Sequence, residues 1–351
     1  MADVGAQLRP GPIAFHAIGA STHPPGTLER LVERAARPGG PWGLARVIAD
    51  MASCTGLLCR EAPALLRSRG VDAVLADGME AAGGLVAGAL GLPFASVHCA
   101  LPPLREPRVP LPVMPWGWAR DERGLQLNLH SARVYDWLMR PHARVIARHA
   151  AASGLPPRTR LDQCLSPLLQ LSQLVPGFDF PREQAPAALH DVGPLRPAPT
   201  GARQDGPEWP AAWQPPPGVP MVFASLGTLQ GGRFGLFLRI VRGCRAAGAA
   251  VLVAHCDRLD ARQCAALERA GANWVTGFAP QAQAVARADV VITHGGLNTV
   301  MDALAAGKPM LVLPIAFDQP GVAARVVHAG AGLRLLPGLA SAGAIARALR
   351  R

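Results

Sequence analysis

Lysine and tyrosine are almost missing. Lys308 and Tyr135 are the only examples in 351 residues. The formal net charge of +11 therefore rests on arginines. They are scattered, with no block of five or six, and no zinc finger, RNA-binding aromatic motif or basic helix accompanies them. The charge reads as a preference for arginine over lysine, and a nucleic-acid partner is not expected. Charged residues are few, at 17%, and half of the chain is hydrophobic, which excludes disorder. Met1 to Gly11 contains no apolar run, so no secretory signal is expected. The longest uncharged stretch, Ala81 to Leu104, is broken by Gly91, Pro93, Pro102 and Pro103 and is too interrupted to span a membrane. There is no C-x-x-C pair. An odd count of seven cysteines predicts free thiols in a reduced, cytoplasmic compartment. The Walker, G-x-G-x-x-G and G-x-S-x-G motifs are also missing, which argues against ATPase, dehydrogenase and hydrolase chemistry.

What is present is alternation. Val71 to Asp77 reads as a buried strand ending in a carboxylate, Glu80 to Leu90 as a helix, and Pro93 to His98 as the next strand. Leu195 to Pro220 is rich in Pro and Gly without apolar periodicity. The alternation then resumes, with strands at Val219 to Ser225, Ala249 to Ala254, Trp274-Val275, Val290 to Thr293 and Met310 to Leu313. Helices are expected at Phe234 to Ala247, Gln281 to Arg287 and Asn298 to Ala306. The prediction is an α/β protein of two Rossmann-like lobes, residues 13–195 and 220–351, joined by a linker over 196–219.

The informative stretch runs from Val290 to Gln319. His294, Gly295, Gly296, Leu297, Asn298 and Thr299 follow a strand end and open a helix. The glycines allow backbone to approach a ligand closely, Asn298 suits an N-cap, and the helix start presents unpaired N–H groups and a positive dipole end to a pyrophosphate. His294 can donate to the same phosphates. Asp302 shares the helix face of Asn298 and Thr299 and can accept from ribose hydroxyls. Asp318-Gln319, in a loop after another strand, offers an acceptor and a donor to vicinal hydroxyls. Ser225, Gly227 and Thr228 follow a strand end and can line a nucleotide. Phe278 and Gln281, in Gly277 to Gln281, can face a base.

These elements resemble the signature of family-1, two-Rossmann (GT-B) UDP-glycosyltransferases: Gly277 to Gln281, Thr293 to Thr299, Gly307-Lys308-Pro309 and Phe317-Asp318-Gln319. Further stretches resemble the carotenoid branch of that superfamily, the bacterial zeaxanthin glucosyltransferases. They are Ser21 to Gly26, Leu58 to Glu61, Tyr135 to Arg140, Gln173 to Pro176, Ala224 to Gly231 and Phe317 to Ala323. The resemblance implies an inverting transfer of glucose from UDP-glucose to a carotenoid hydroxyl, with no metal and no cofactor. It implies that His294, Asn298 and Thr299 hold the diphosphate, Asp302 the ribose, Asp318 and Gln319 the glucose, and that Phe278 and Gln281 lie near the uracil. Asp302 stands where most of the superfamily has the longer Glu.

The same resemblance matches Asp77 to the carboxylate that orients a catalytic histidine. That histidine belongs to a first strand and helix that this sequence does not match, and neither His16 nor His23 takes its place. The expectation is a copy truncated at both ends, with an N-terminal lobe lacking its first βα unit. A macrolide or sterol acceptor, or a non-catalytic UDP-sugar-binding subunit or decayed copy, are the alternatives. A lipophilic acceptor implies contact with the inner face of the membrane, for which the apolar, Pro-rich stretch Leu101 to Trp118 is the candidate.

Overall fold

The computed structural model describes residues 13–37, 39–196, 209–210 and 212–351. Most of the expected linker, residues 197–208 and 211, lies outside the described residues. The chain forms two compact units.

The first unit comprises Met1–Arg108, Ala119–Ser172 and Glu183–His190. Two helices, α1 (Thr27–Ala36) and α2 (Pro41–Ser68), precede strand β1 (Val74–Asp77). Helix α3 (Ala81–Leu90) then crosses over to β2 (Phe94–His98), and the two strands pair in parallel, with Val74 opposite Phe94. The Glu80 side chain caps α3 by accepting from the Ala82 N–H at 2.9 Å. After α4 (Glu122–Leu138) and α5 (Arg140–Ala152), β3 (Leu169–Ser172) pairs in parallel with β2, and β4 (Leu189–Asp191) completes the order β1-β2-β3-β4. Ala81, Leu85, Ile146, Ala150 and Cys164 form the buried cluster where α3 meets α5. Among the described residues β1 is an edge of this sheet, and Leu75 on it is 79% exposed.

The second unit comprises Val109–Trp118, Gln173–Arg182 and Asp191–Arg351. Its six strands are β5 (Met221–Ser225), β6 (Ala250–Ala254), β7 (Trp274–Thr276), β8 (Val290–Thr293), β9 (Met310–Val312) and β10 (Gly332–Arg334). They lie in the order β10-β9-β8-β5-β6-β7, and all pairs are parallel. All five residues of β5 and all five of β6 are buried, the continuous apolar pattern of strands covered on both faces. The covering helices are α6 (Gly227–Gln230), α7 (Phe234–Ala247), α8 (Ala261–Ala270), α9 (Gln281–Arg287), α10 (Leu297–Ala305), α11 (Gln319–His328) and α12 (Ala342–Leu349). The chain leaves β5 toward β6 and β7, then returns to β8 on the other side of β5. The strand order reverses at that point, and ligands of open α/β sheets bind outside the strand ends there.

The units do not follow a single cut in the chain, as the sequence division at 196–219 assumed. Two segments assigned to the first lobe, 109–118 and 173–182, pack on the second unit. Val109, Phe180 and Ala324 form a buried cluster with Trp118 against it. The Gly321 N–H donates to the Pro112 carbonyl at 3.1 Å, and Arg334 donates to the Pro115 carbonyl. Arg325, 1% exposed, donates to Asp179 at 2.5 Å and stacks on Phe180 at 4.5 Å. These contacts link α11 and β10 to residues over 140 positions away, beyond the reach of a periodicity argument. In the stretch from Leu101 to Trp118, expected to face a membrane, Leu101, Leu104, Val109 and Leu111 are buried, whereas residues 112–116 are half-buried. No helix among the described residues is long and apolar enough to cross a membrane.

Candidate functional site

At the point of reversal, Ser225 at the end of β5 is paired in register with Thr293 at the end of β8. Two loops therefore leave the sheet side by side. The first carries Gly227, with φ +70°, and the second Gly295, with φ +92°, both in the left-handed region that favours glycine. The ring of His294 fills the space where these loops meet. A Cβ on Gly227 would lie 2.6 Å from its Cε1, and a Cβ on Gly296 would lie equally close. Small residues on both sides are thus required by the ring. Burial pushes the His294 pKa down to about 4, so the imidazole is neutral at physiological pH. Its Nδ1 is buried and has no hydrogen-bond partner among the described residues. A buried polar atom of this kind is open to a water or to a ligand group.

Helix α10 begins at Leu297, with Gly296 as its N-cap. This corrects the expectation of an Asn298 cap: Asn298 and Thr299 lie in the first turn. The first bond of the helix ladder runs from the Val300 N–H to the Gly296 carbonyl at 3.1 Å. The N–H groups of Leu297, Asn298 and Thr299 therefore precede the ladder and point out of the helix start, beside His294. With the dipole of the helix, they make an anion site. Asn298 is exposed and Thr299 buried.

Asp302 sits one turn further along, and the structure gives it two partners. Gln281 Nε2 donates to its Oδ2 at 2.6 Å. Arg196 donates to its Oδ1 from Nη2 at 2.9 Å and from Nε at 3.2 Å. Arg196 also reaches the Asn298 carbonyl at 3.2 Å and the Asn298 Oδ1 at 3.4 Å. Gln281, expected near a base, is thus joined to the expected ribose acceptor. Arg196 was missed, and the only signal for it is that it is the lone charge in Val192 to Thr200.

The neighbouring loops are held by local contacts. Ser225 is buried, and its Oγ accepts from the Gly227 N–H at 3.3 Å, whereas Thr228 is exposed. The loop after β6 takes two non-glycine residues into the left-handed region, Cys256 and Asp257, each at φ 54°. The Cys256 N–H donates to the Gly277 carbonyl at 2.6 Å, and a Cβ on Gly277 would meet Asp257 Oδ1 at 1.7 Å. Gly277 is required by that approach, and Phe278 beside it is 55% exposed. Strain of this type gathers at functional loops.

Asp318 and Gln319 do not lie in an open loop as expected. Asp318 is the N-cap of α11 and Gln319 its first residue. Gln319 is buried, and its Oε1 accepts from the Ile315 and Ala316 N–H groups at 2.9 and 2.8 Å. The backbone carbonyl of Gln319 also lies 3.2 Å from where a Gly295 Cβ would be, so the start of α11 abuts the His294 loop. Only the Gln319 amide N–H groups remain as donors for a ligand. Phe317, at φ 56°, turns the chain immediately before Asp318.

Asp77, in the other unit, ends β1 and accepts from the Met79 N–H at 2.9 Å. His23 is buried, with Nδ1 3.0 Å from Thr22 Oγ1, and His16 pairs with Arg69. Among the described residues no three of His, Cys, Asp and Glu gather as a metal-binding group.

The second unit thus brings together Ser225, Gly227, His294, Gly295, Gly296, Asn298, Thr299, Asp302 and Gln281, with Arg196 added and Gln319 adjoining through Gly295. Comparison with known proteins agrees with this architecture. A profile of the glycosyltransferase family 28 C-terminal domain matches residues 258–349. The chain is 48% identical over 322 residues to a zeaxanthin glucosyltransferase of Pantoea ananas, covering 92% of this chain and 73% of that protein. It is 52% identical over 299 residues to a zeaxanthin glucosyltransferase of Pseudescherichia vulneris, covering 83% of this chain and 68% of that protein. Among solved structures, the glycotransferase of kitacinnamycin superposes with a TM-score of 0.66 at 20% identity, covering 87% of this chain and 73% of that one.

Proposed function

The chain belongs to the two-lobed GT-B glycosyltransferases, in the family of the zeaxanthin glucosyltransferases, and we propose that it moves glucose from UDP-glucose to a hydroxyl of a carotenoid. The observation that carries the donor reading is the His294 ring held between Gly227 and Gly296 beside the open N–H groups of α10. A diphosphate set there would receive hydrogen bonds from the helix start and from the neutral imidazole, and would face the positive end of the dipole. Asp302 would take the ribose hydroxyls, Phe278 would lie against the uracil, and Asp318 with the Gln319 amide would hold the glucose.

The reaction needs little else from this unit. The acceptor oxygen attacks the anomeric carbon of glucose, the bond from that carbon to the phosphate oxygen breaks, and UDP leaves with the negative charge. Attack on the face opposite the leaving group inverts the anomeric centre. Donors fixed around the phosphates stabilise the charge as it develops, with no metal required. The acceptor hydroxyl must lose its proton to a general base, a role assigned to none of the described residues; Asp77 is the carboxylate that the resemblance matches to the group orienting that base. The preference for a carotenoid rests on the names of the two relatives. Such an acceptor lies in a membrane, so the enzyme would meet it at the bilayer surface from the cytoplasm.

The test is incubation of the protein with UDP-glucose and zeaxanthin in vesicles, with products resolved by chromatography. Glucosylated carotenoid formed by the wild type and lost in His294→Ala supports the reading. UDP-glucose consumed only with a macrolide or sterol acceptor would reassign the acceptor. UDP binding without transfer to any acceptor would point to a binding subunit.

A further inference from the structure

A diphosphate brings two or more negative charges to the start of α10. The helix end offers roughly half a positive charge. His294, neutral by burial, offers a hydrogen bond and no charge. The guanidinium that lies on the first turn of α10, on the Asn298 carbonyl and on Asp302, belongs to Arg196.

We propose that Arg196 is a donor-binding residue: when a nucleotide sugar binds, its guanidinium passes from Asp302 to the diphosphate, and Asp302 is released to the ribose. The inference rests on the nucleotide-sugar reading of this site.

The contacts around Asp302 and Arg196 support it. Asp302 already accepts three hydrogen bonds, two on Oδ1 from Arg196 and one on Oδ2 from Gln281, which leaves about one of a carboxylate's four acceptor sites, and a ribose diol that donates twice needs another freed. An exchange of partners keeps both charged groups paired, since the guanidinium gains phosphate oxygens as the carboxylate gains hydroxyls. Arginine suits the role because its planar fork pairs with phosphate through two parallel bonds. The backbone leading to it is also fixed on the same unit. The Gly193 N–H donates to the Leu174 carbonyl at 2.9 Å, and the Leu195 N–H to Gln173 Oε1 at 3.1 Å. The Arg196 side chain itself is 38% exposed, so it can swing while its base stays in place.

The experiment is calorimetric titration of the wild type, Arg196→Gln and Arg196→Lys with UDP and with uridine. The expected result is that Arg196→Gln weakens UDP binding by about 10–100-fold, the worth of hydrogen bonds to a charged group. Uridine, which lacks phosphate, should bind the variant as well as or better than it binds the wild type. Arg196→Lys should recover part of the UDP affinity by restoring the charge without the fork. Equal losses for UDP and uridine would mean that Arg196 acts only by placing Asp302, and would overturn the proposal. Unchanged UDP binding in Arg196→Gln would overturn it too. A wild type that binds neither ligand would instead defeat the nucleotide-sugar reading beneath it.

Discussion

Gly227 and His294, 67 residues apart, occupy one space: a side chain on the first would lie 2.6 Å from Cε1 of the second. The contact joins the loops that leave β5 and β8, and it exists because Ser225 and Thr293 are register partners. It ties the shape of the anion site to a glycine whose own backbone, at φ +70°, already disfavours any other residue.

Gly227→Ala should therefore cost about 1–2 kcal/mol from the left-handed backbone alone. It should also displace the His294 ring and weaken UDP binding about tenfold or more. On a His294→Ala background the clash is gone, and adding Gly227→Ala should cost only its backbone strain. A double-mutant cycle in urea denaturation and UDP titration measures the difference. Strictly additive effects would show that the two residues do not press on each other.

His294 also sets a pH dependence. Its native pKa of about 4 lies below the ordinary 6.5. Between those values the unfolded chain binds more protons than the folded one. Its contribution to stability is thus complete above pH 6.5, falls as pH drops through that window, and levels off below 4, for a total on the order of 3 kcal/mol. Burial shifts His142, His149 and His255 in the same direction, so the comparison must be between wild type and His294→Gln. Denaturation midpoints of the two should converge as pH falls from 7 to 4. Parallel curves would show that the ring titrates normally.

Asp302→Asn separates binding from folding. Its ion pair with Arg196 is partly exposed, with side-chain exposures of 17% and 38%, so its loss should cost less than about 1 kcal/mol of stability. If the residue accepts from the ribose, the variant should lose affinity for uridine as well as for UDP. That pattern is opposite to the one expected of Arg196→Gln. Thermal unfolding and calorimetry together distinguish them, and unchanged uridine binding would remove Asp302 from the ribose contact.

Asp179 holds α11 from a distant segment. Burial alone would raise its pKa, but Arg325 and Arg182 outweigh that and keep the carboxyl below the usual range. Asp179→Ala leaves the fully buried Arg325 without its carboxylate, and removing one partner of a buried pair costs about 3–5 kcal/mol. Because α11 starts at Gln319, KM for the sugar donor should rise as well. Urea denaturation and steady-state kinetics measure both. A loss below about 1 kcal/mol would show that Arg182 and solvent compensate.

Much of this molecule was legible in its sequence. Buried parallel strands announce themselves as apolar runs such as Met221 to Ser225 and Val290 to Thr293, and a glycine pair before Leu297 marks a strand-to-helix turn wherever it occurs. Local chemistry therefore determined much of the alternation of strands and helices, though not β3, β4, β10 or α8, together with the two-lobed class and the candidate residues of the β8–α10 loop. It did not determine partners. Arg196 sits in a Pro-rich stretch with no periodicity, yet it meets Asp302 over a hundred positions later, and Gln281 meets the same carboxylate from another helix. Gln319, the first residue of α11, accepts with its side-chain amide oxygen from the Ile315 and Ala316 N–H groups. Segments 109–118 and 173–182 join the second unit through Arg325 and a small apolar cluster. The physical reason is common to all of these. Backbone conformation is set mainly by neighbours in the chain, so residue types predict it. Ion pairs, buried amides and the seating of loops depend on which distant groups the parallel strand order brings within about 3 Å, and only the folded sheet decides that.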